Sequence, residues 1–255
     1  MQLNDSYSAI VTGAASGLGA ETAHALQEKG VKVLGIDLPQ ALDALDDQAI
    51  PGVEYQGVDV TDVDAVRKAV RQAASLAPLR VAVNCAGIAP SQRILSRRGP
   101  HDPQLFSRTI NINLLGTFHV LSSAAEIIAE SDPWGEDGQR GVIINTSSVA
   151  AFEGQVGQAA YSASKGAVHA LSITAARDLA SMGIRVNAIA PGVVATPMMK
   201  QITEEFRKAL EANVPFPARL AKPEEFAKLV LSIIDNDYIN GQTIRLDGAL
   251  RMPPR

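Results

Sequence analysis

Seven short β-rich runs, "YSAIVT", "KVLGID", "VEYQGVDV", "RVAVNCA", "GVIINTS", "IRVNAIAP" and "QTIRLDG", alternate with amphipathic stretches near residues 18–29, 62–76, 104–130, 158–181 and 223–235. Most of these runs are nearly continuously apolar. A strand hidden on one face alternates with period two, so these runs predict strands covered on both faces. Such strands, interleaved with helices, build an α/β fold around a seven-stranded parallel sheet. Right-handed crossovers make it doubly wound, with ligands binding beyond the carboxyl ends of the strands. No repeat, linker or low-complexity tract breaks the alternation, so residues 1–255 read as a single domain.

The first run leads into "TGAASGLGAETAHAL", a glycine turn that opens a helix. Gly13, Ser16, Gly17, Leu18 and Gly19 lie where a dinucleotide's diphosphate rests on a helix N-terminus, with glycine permitting the close approach. The spacing matches the general G-x-G-x-x-G fingerprint only loosely. Asp37 ends the second run, 18 residues beyond Gly19. A carboxylate there accepts hydrogen bonds from the adenosine ribose and repels a 2′-phosphate. Leu38 and Pro39 follow, with no arginine to hold such a phosphate. The sequence thus predicts a Rossmann domain that takes NAD rather than NADP.

Charge excludes other classes. The net charge is −4 with basic residues scattered, which is no nucleic-acid footprint. His24, His101, His119 and His169 show no spacing with cysteine or carboxylates that suggests a metal site. The single cysteine, Cys85, permits no intrachain disulfide and fits a reducing, cytoplasmic setting; its apolar surroundings read as a small buried residue. No run of about 18 apolar residues is present, so no membrane span is expected.

In "AAYSASKGAVHA", Tyr161 and Lys165 stand one helical turn apart with small residues between them. Positions i and i+4 share a helix face, so both polar heads can reach one small volume. A cation near a phenol favours phenolate, which suits proton transfer, although an exposed polar pair has the same spacing.

"TGAASGLG", "NCAG", "NINLLG", "NTSSV", "YSASK" and "RVNAIAPG", in this order, resemble the short-chain dehydrogenase/reductase family over nearly the whole chain. "GQRGVIINTSSVAAFEGQVGQAAYSASKGA", "VPFPARL" and "NGQTIRLDGALRM" are similar to its branch acting on 3-hydroxyacyl-CoA. The resemblance implies a catalytic tetrad of Asn113, Ser148, Tyr161 and Lys165. It places Asp59, Val60, Ala86 and Gly87 on the adenosine side, and Pro191, Gly192, Val194 and Thr196 around the nicotinamide, whose ribose Lys165 also holds. Tyr161 is then the acid/base, Ser148 the partner of the substrate oxygen, and Asn113 the anchor of a proton-relaying water. A satisfied interhelical amide is the other reading of Asn113, and Ser147 is the neighbour most easily mistaken for Ser148. Gln155 and Gln158 are candidate substrate contacts. A homotetramer is expected. Interconversion of a 3-hydroxyacyl-CoA and its 3-oxo form is the implied reaction. A hydroxysteroid or other hydrophobic-alcohol dehydrogenase, or a non-catalytic dinucleotide sensor, are the competing ones.

Two long connections remain. The insert near 91–103 carries Arg93, Arg97 and Arg98, which could fork onto the phosphates of CoA. The second, "SDPWGEDGQRG", holds Trp134, a packing or subunit contact. Residues 195–217, with Met198, Met199, Phe206 and Phe216, read either as a substrate lid or as a packing helix.

Overall fold

The computed structural model describes residues 1–45, 48–199 and 203–254. In chain order the elements are β1 (Ser8–Thr12), α1 (Gly17–Glu28), β2 (Lys32–Asp37), α2 (Pro39–Asp43), β3 (Val53–Gly57), α3 (Val63–Leu76), β4 (Leu79–Asn84), β5 (Leu95–Ser96) and β6 (Gly99–Pro100). There follow α4 (Pro103–Ile110), a π-helical stretch Asn111–Gly116, α5 (Thr117–Ala129), β7 (Gly141–Thr146), α6 (Ala159–Asp178), β8 (Ile184–Pro191), α7 (Glu204–Ala212), α8 (Pro223–Asp235) and β9 (Thr243–Leu246). The seven expected strands form one sheet in the order β3-β2-β1-β4-β7-β8-β9, every pair parallel.

The continuous apolar runs find their cause in two cores, one on each face. Ile10, Leu34, Ile36 and Ile143 pack with Val66 and Val70 of α3 and Val120 and Ile128 of α5. Ala9, Val11, Val83 and Ile144 pack on the other face with Leu26 of α1 and Phe226, Val230 and Ile233 of α8. Fully burying a side chain such as Phe226 contributes about 2–3 kcal/mol. Asp62 caps α3, accepting from the Asp64 and Ala65 amides at 3.0 Å each, and Asp102 caps α4 through Gln104 N–H at 2.9 Å.

Strand order reverses between β1 and β4, which opens the crevice where ligands of such sheets bind. The helical run Pro103–Ala129 is, by length and composition alone, long and apolar enough to cross a membrane, although Arg108 and Glu126 interrupt its apolar sequence. Half of its most apolar window is buried within this fold. Trp134 is explained inside the chain. Its ring lies 6.2 Å from that of Tyr7, and the buried Arg80 guanidinium stacks over it at 4.8 Å.

Candidate active site

The site starts at the end of β1. Gly13 and Gly17 adopt φ +68° and +56°, in the left-handed region that favours glycine. A Cβ on Gly13 would stand 2.9 Å from Ala86 N, and one on Gly19 would overlap the Gly13 carbonyl oxygen. Thr12 fixes the opposite wall: its Oγ1 accepts from the amides of Cys85 at 3.0 Å and Ala86 at 2.9 Å. Asp37 reaches back to the turn, accepting from Ala15 N–H at 3.0 Å and from Leu38 N–H at 2.8 Å. The first turn of α1 has neither a capping side chain nor an acidic residue, so its amides stay available to an anion. This arrangement fits a dinucleotide. Gly19→Ala should therefore displace the turn and weaken NADH binding at least about tenfold, read by fluorescence titration; unchanged affinity would contradict the tight packing of Gly19.

Farther along, Asp59 Oδ1 accepts from Thr61 N–H at 2.9 Å and from its hydroxyl at 2.8 Å, and His119 Nδ1 donates to the Val60 carbonyl at 3.0 Å. At the other end, α6 delivers Tyr161 and Lys165. Lys165 is buried, and its Nζ donates to Thr146 O at 2.7 Å while lying 6.0 Å from the Tyr161 ring centroid. Ser148, just beyond the end of β7, accepts from Ala150 N–H at 3.1 Å and lies close enough to the Tyr161 hydroxyl to favour its ionised form. Ser147 is committed elsewhere, donating to Lys165 O at 2.9 Å. The two adjacent serines are thereby told apart.

Asn113 is fully buried in the π-helical stretch. Its Oδ1 accepts from Ile88 N–H at 2.8 Å, and its Nδ2 donates to Ile88 O at 2.9 Å and Ser164 Oγ at 3.0 Å. Three of the amide's four hydrogen-bonding positions are thus taken by protein. The side chain braces the β4 loop against α6, the interhelical reading of this residue.

Burial controls the charges. It raises the Tyr161 pKa above the ordinary phenol value, opposed by the Ser148 hydrogen bond. It pushes Lys165 down to about 8, opposed by the neighbouring Cys85, and Cys85 itself up to about 11. The expected lowering of the phenol by Lys165 is therefore outweighed. The ammonium sits on the Thr146 carbonyl, and desolvation of the ring outweighs it. Cys85 stays a protonated, buried thiol, receiving the Thr146 hydroxyl at 3.7 Å.

One cleft of about 1340 Å³ joins the two ends. Gly13, Ser16, Gly17, Leu18, Gly19, Asp37, Asp59, Val60, Ala86 and Gly87 line it on one side of Tyr161 and Lys165. Pro191, Gly192, Val194, Thr196, Ser148, Gln155 and Gln158 also line it; Asn113 stands behind the wall. Arg93, Arg97 and Arg98 are exposed on the insert and are not brought to the cleft; the arginine that lines it is Arg108 of α4. In the segment 195–217, Met199 and Leu210 line the cleft, whereas Phe216 is 82% exposed and does not. The side chains of Met198 and Phe206 lie outside the described residues. Sequence reasoning missed Thr12, Leu210, His119 and Met252. Thr12 had a signal, a hydroxyl at the strand end directly before the glycine turn, but Met252 had none.

A family model described as short chain dehydrogenase matches residues 7–207. The chain is 46% identical over 250 residues to "3-hydroxyacyl-CoA dehydrogenase type-2" of Bos taurus, covering 96% of this chain and 95% of that one. Identity to the Homo sapiens protein of the same name is 45% over 250 residues, with the same coverage. A crystal structure of "3-hydroxyacyl-CoA dehydrogenase type-2" from Mycobacterium avium superposes with a TM-score of 0.93 at 44% identity, covering 98% of each chain.

Proposed function

The chain belongs to the short-chain dehydrogenase family, and from that premise we propose that it interconverts a 3-hydroxyacyl-CoA and its 3-oxoacyl-CoA, using NAD. The observation that carries the reading is the convergence of Ser148, Tyr161 and a buried Lys165 on one cleft, which the glycine turn that fits a dinucleotide also lines. When bound, the nicotinamide supplies the two-electron partner that accepts or returns hydride.

The glycine turn and the first turn of α1 hold the diphosphate, Asp37 the adenosine ribose, and Asp59 and Val60 the adenine. Ala86 and Gly87 form the floor, and Pro191, Gly192, Val194 and Thr196 enclose the nicotinamide half. Tyr161 takes the hydroxyl proton of the alcohol during oxidation and returns it to the ketone oxygen during reduction. Ser148 donates to that same oxygen and fixes its position against Tyr161. Lys165 binds the nicotinamide ribose, and its ammonium offsets the burial that otherwise keeps the phenol protonated. Asn113 is a positioning residue that sets the β4 loop. Met199 and Leu210 form the apolar lid over the substrate.

Acetoacetyl-CoA should be reduced by NADH. If the protein ignores it yet oxidises a steroid alcohol with NAD, the acyl-CoA reading fails in favour of a hydrophobic-alcohol dehydrogenase, for which the apolar Met199, Leu210 and Met252 speak. NAD should be preferred to NADP on the order of 100-fold in kcat/KM, because Asp37 meets a 2′-phosphate with no neighbouring cation. Equal kcat/KM for the two cofactors would remove this role from Asp37.

We assign the protein to the cytoplasm as a homotetramer. Phe106, Leu115 and Phe118 are exposed on the α4–α5 helix, and Phe152 and Val156 on the loop before α6. Two separate exposed apolar patches are what two dimer axes, and hence four subunits, would require.

A further inference from the structure

Residues 251–254, beyond β9, cross back over the loop between Ser148 and Tyr161. Gln155 Nε2 donates to Pro253 O at 3.1 Å, and Val156 N–H to Pro254 O at 3.1 Å. An ionic clamp holds the tail in register. Arg245 spans both oxygens of Glu153 at 2.9 Å each and donates to Asp247 at 2.6 Å. Arg251 reaches Asp247 at 3.2 Å and Glu153 at 3.6 Å, and Met252 N–H reaches Glu153 at 3.4 Å. The Arg245 guanidinium also stacks over Phe152 at 5.1 Å. This clamp brings Met252 to the wall of the cleft beside Gln155, which holds the next residue, and Met199 and Leu210 line the same cleft.

We propose that Met252, held by the Glu153–Arg245–Asp247–Arg251 clamp, is a specificity-determining residue that limits the length of the substrate's hydrocarbon chain. The proposal rests on the acyl-CoA reading for the identity of that chain. Chemistry chooses which end of the substrate Met252 meets. A thioether in a cleft that Met199 and Leu210 also line offers nothing to phosphates but packs well against methylenes. Each methylene excluded or admitted by an apolar pocket changes discrimination by roughly tenfold or more. Glu153 acts through Met252 and is a positioning residue.

The test compares kcat/KM across 3-oxoacyl-CoA thioesters of increasing chain length, with CoA-free 3-oxo esters of the same lengths measured in parallel. Met252→Ala should raise the long-to-short ratio about tenfold, and Met252→Phe should lower it. Glu153→Gln should move the ratio in the same direction as Met252→Ala, a change that a merely structural loss, lowering all lengths alike, does not produce. An unchanged ratio in Met252→Ala and Met252→Phe, in whichever series turns over, overturns the proposal. If only the esters react, the acyl-CoA reading has failed, and the ester series still decides the role of Met252.

Discussion

Tyr161→Phe is expected to lower kcat at least about 100-fold, the usual minimum for losing a positioned acid/base group. The substitution deletes one oxygen from a ring whose burial is otherwise preserved, so the fold and the glycine turn stay intact. NADH affinity should change less than about twofold, because the cofactor half of the cleft is built by β1, β2 and β4 and not by the hydroxyl. Ser148 loses its partner in the variant, yet it still accepts from Ala150 N–H and so keeps its place. Single-turnover reduction of acetoacetyl-CoA separates chemistry from product release. A variant that retained more than a tenth of the wild-type single-turnover rate would assign the proton to another group.

Lys165→Met should act in two opposite directions. Turnover should fall by about 1000-fold, since both the ribose contact and the charge that favours phenolate are lost. The cofactor-free protein, by contrast, should become more stable at pH 7. The amine binds its proton below about pH 8 in the folded chain and below about 10.4 when unfolded. Between those values the unfolded state carries more protons, so wild-type stability rises with pH across that window. At neutral pH the buried ammonium destabilises the fold by about 3 kcal/mol, against about 1 kcal/mol for the lost bond to Thr146. Methionine of similar length should therefore gain roughly 2 kcal/mol and abolish the rise between pH 8 and 10. Chemical denaturation of both proteins across that range reads the sign directly. A less stable variant at pH 7 would mean that the lysine is not held at an electrostatic disadvantage.

Such a trade of stability for function explains which parts of the protein were legible. The five inner strands were legible as continuous apolar runs, because burial on two faces writes itself into nearly every residue of a strand, and the five long helical stretches were legible from their period. The glycine turn and Asp37 were legible because steric and charge requirements leave few residue choices. The insert's hairpin at Leu95–Ser96 and Gly99–Pro100 was not, since two-residue strands carry no period. Nor was the π-helical turn, whose "NINLLG" has no composition that separates it from α-helix. Where the arginines of the insert lie relative to the cleft was not legible, because a charge cluster in sequence says nothing of which way a loop faces. The tail contact joins residues 98 positions apart, a separation at which no local pattern survives.

The seat that Thr12 provides for Cys85 and Ala86 joins residues 73 and 74 positions apart. Parallel pairing across such distances forms late and slowly, after the entropy of closing the intervening βαβ units has been met. The crevice is thus expected to form only once these strands have paired, so early folding species would offer a dinucleotide nothing to grip. A dinucleotide bound in the proposed way would consequently have little leverage on how fast the chain folds, and would act instead as a brake on how fast the finished protein comes apart.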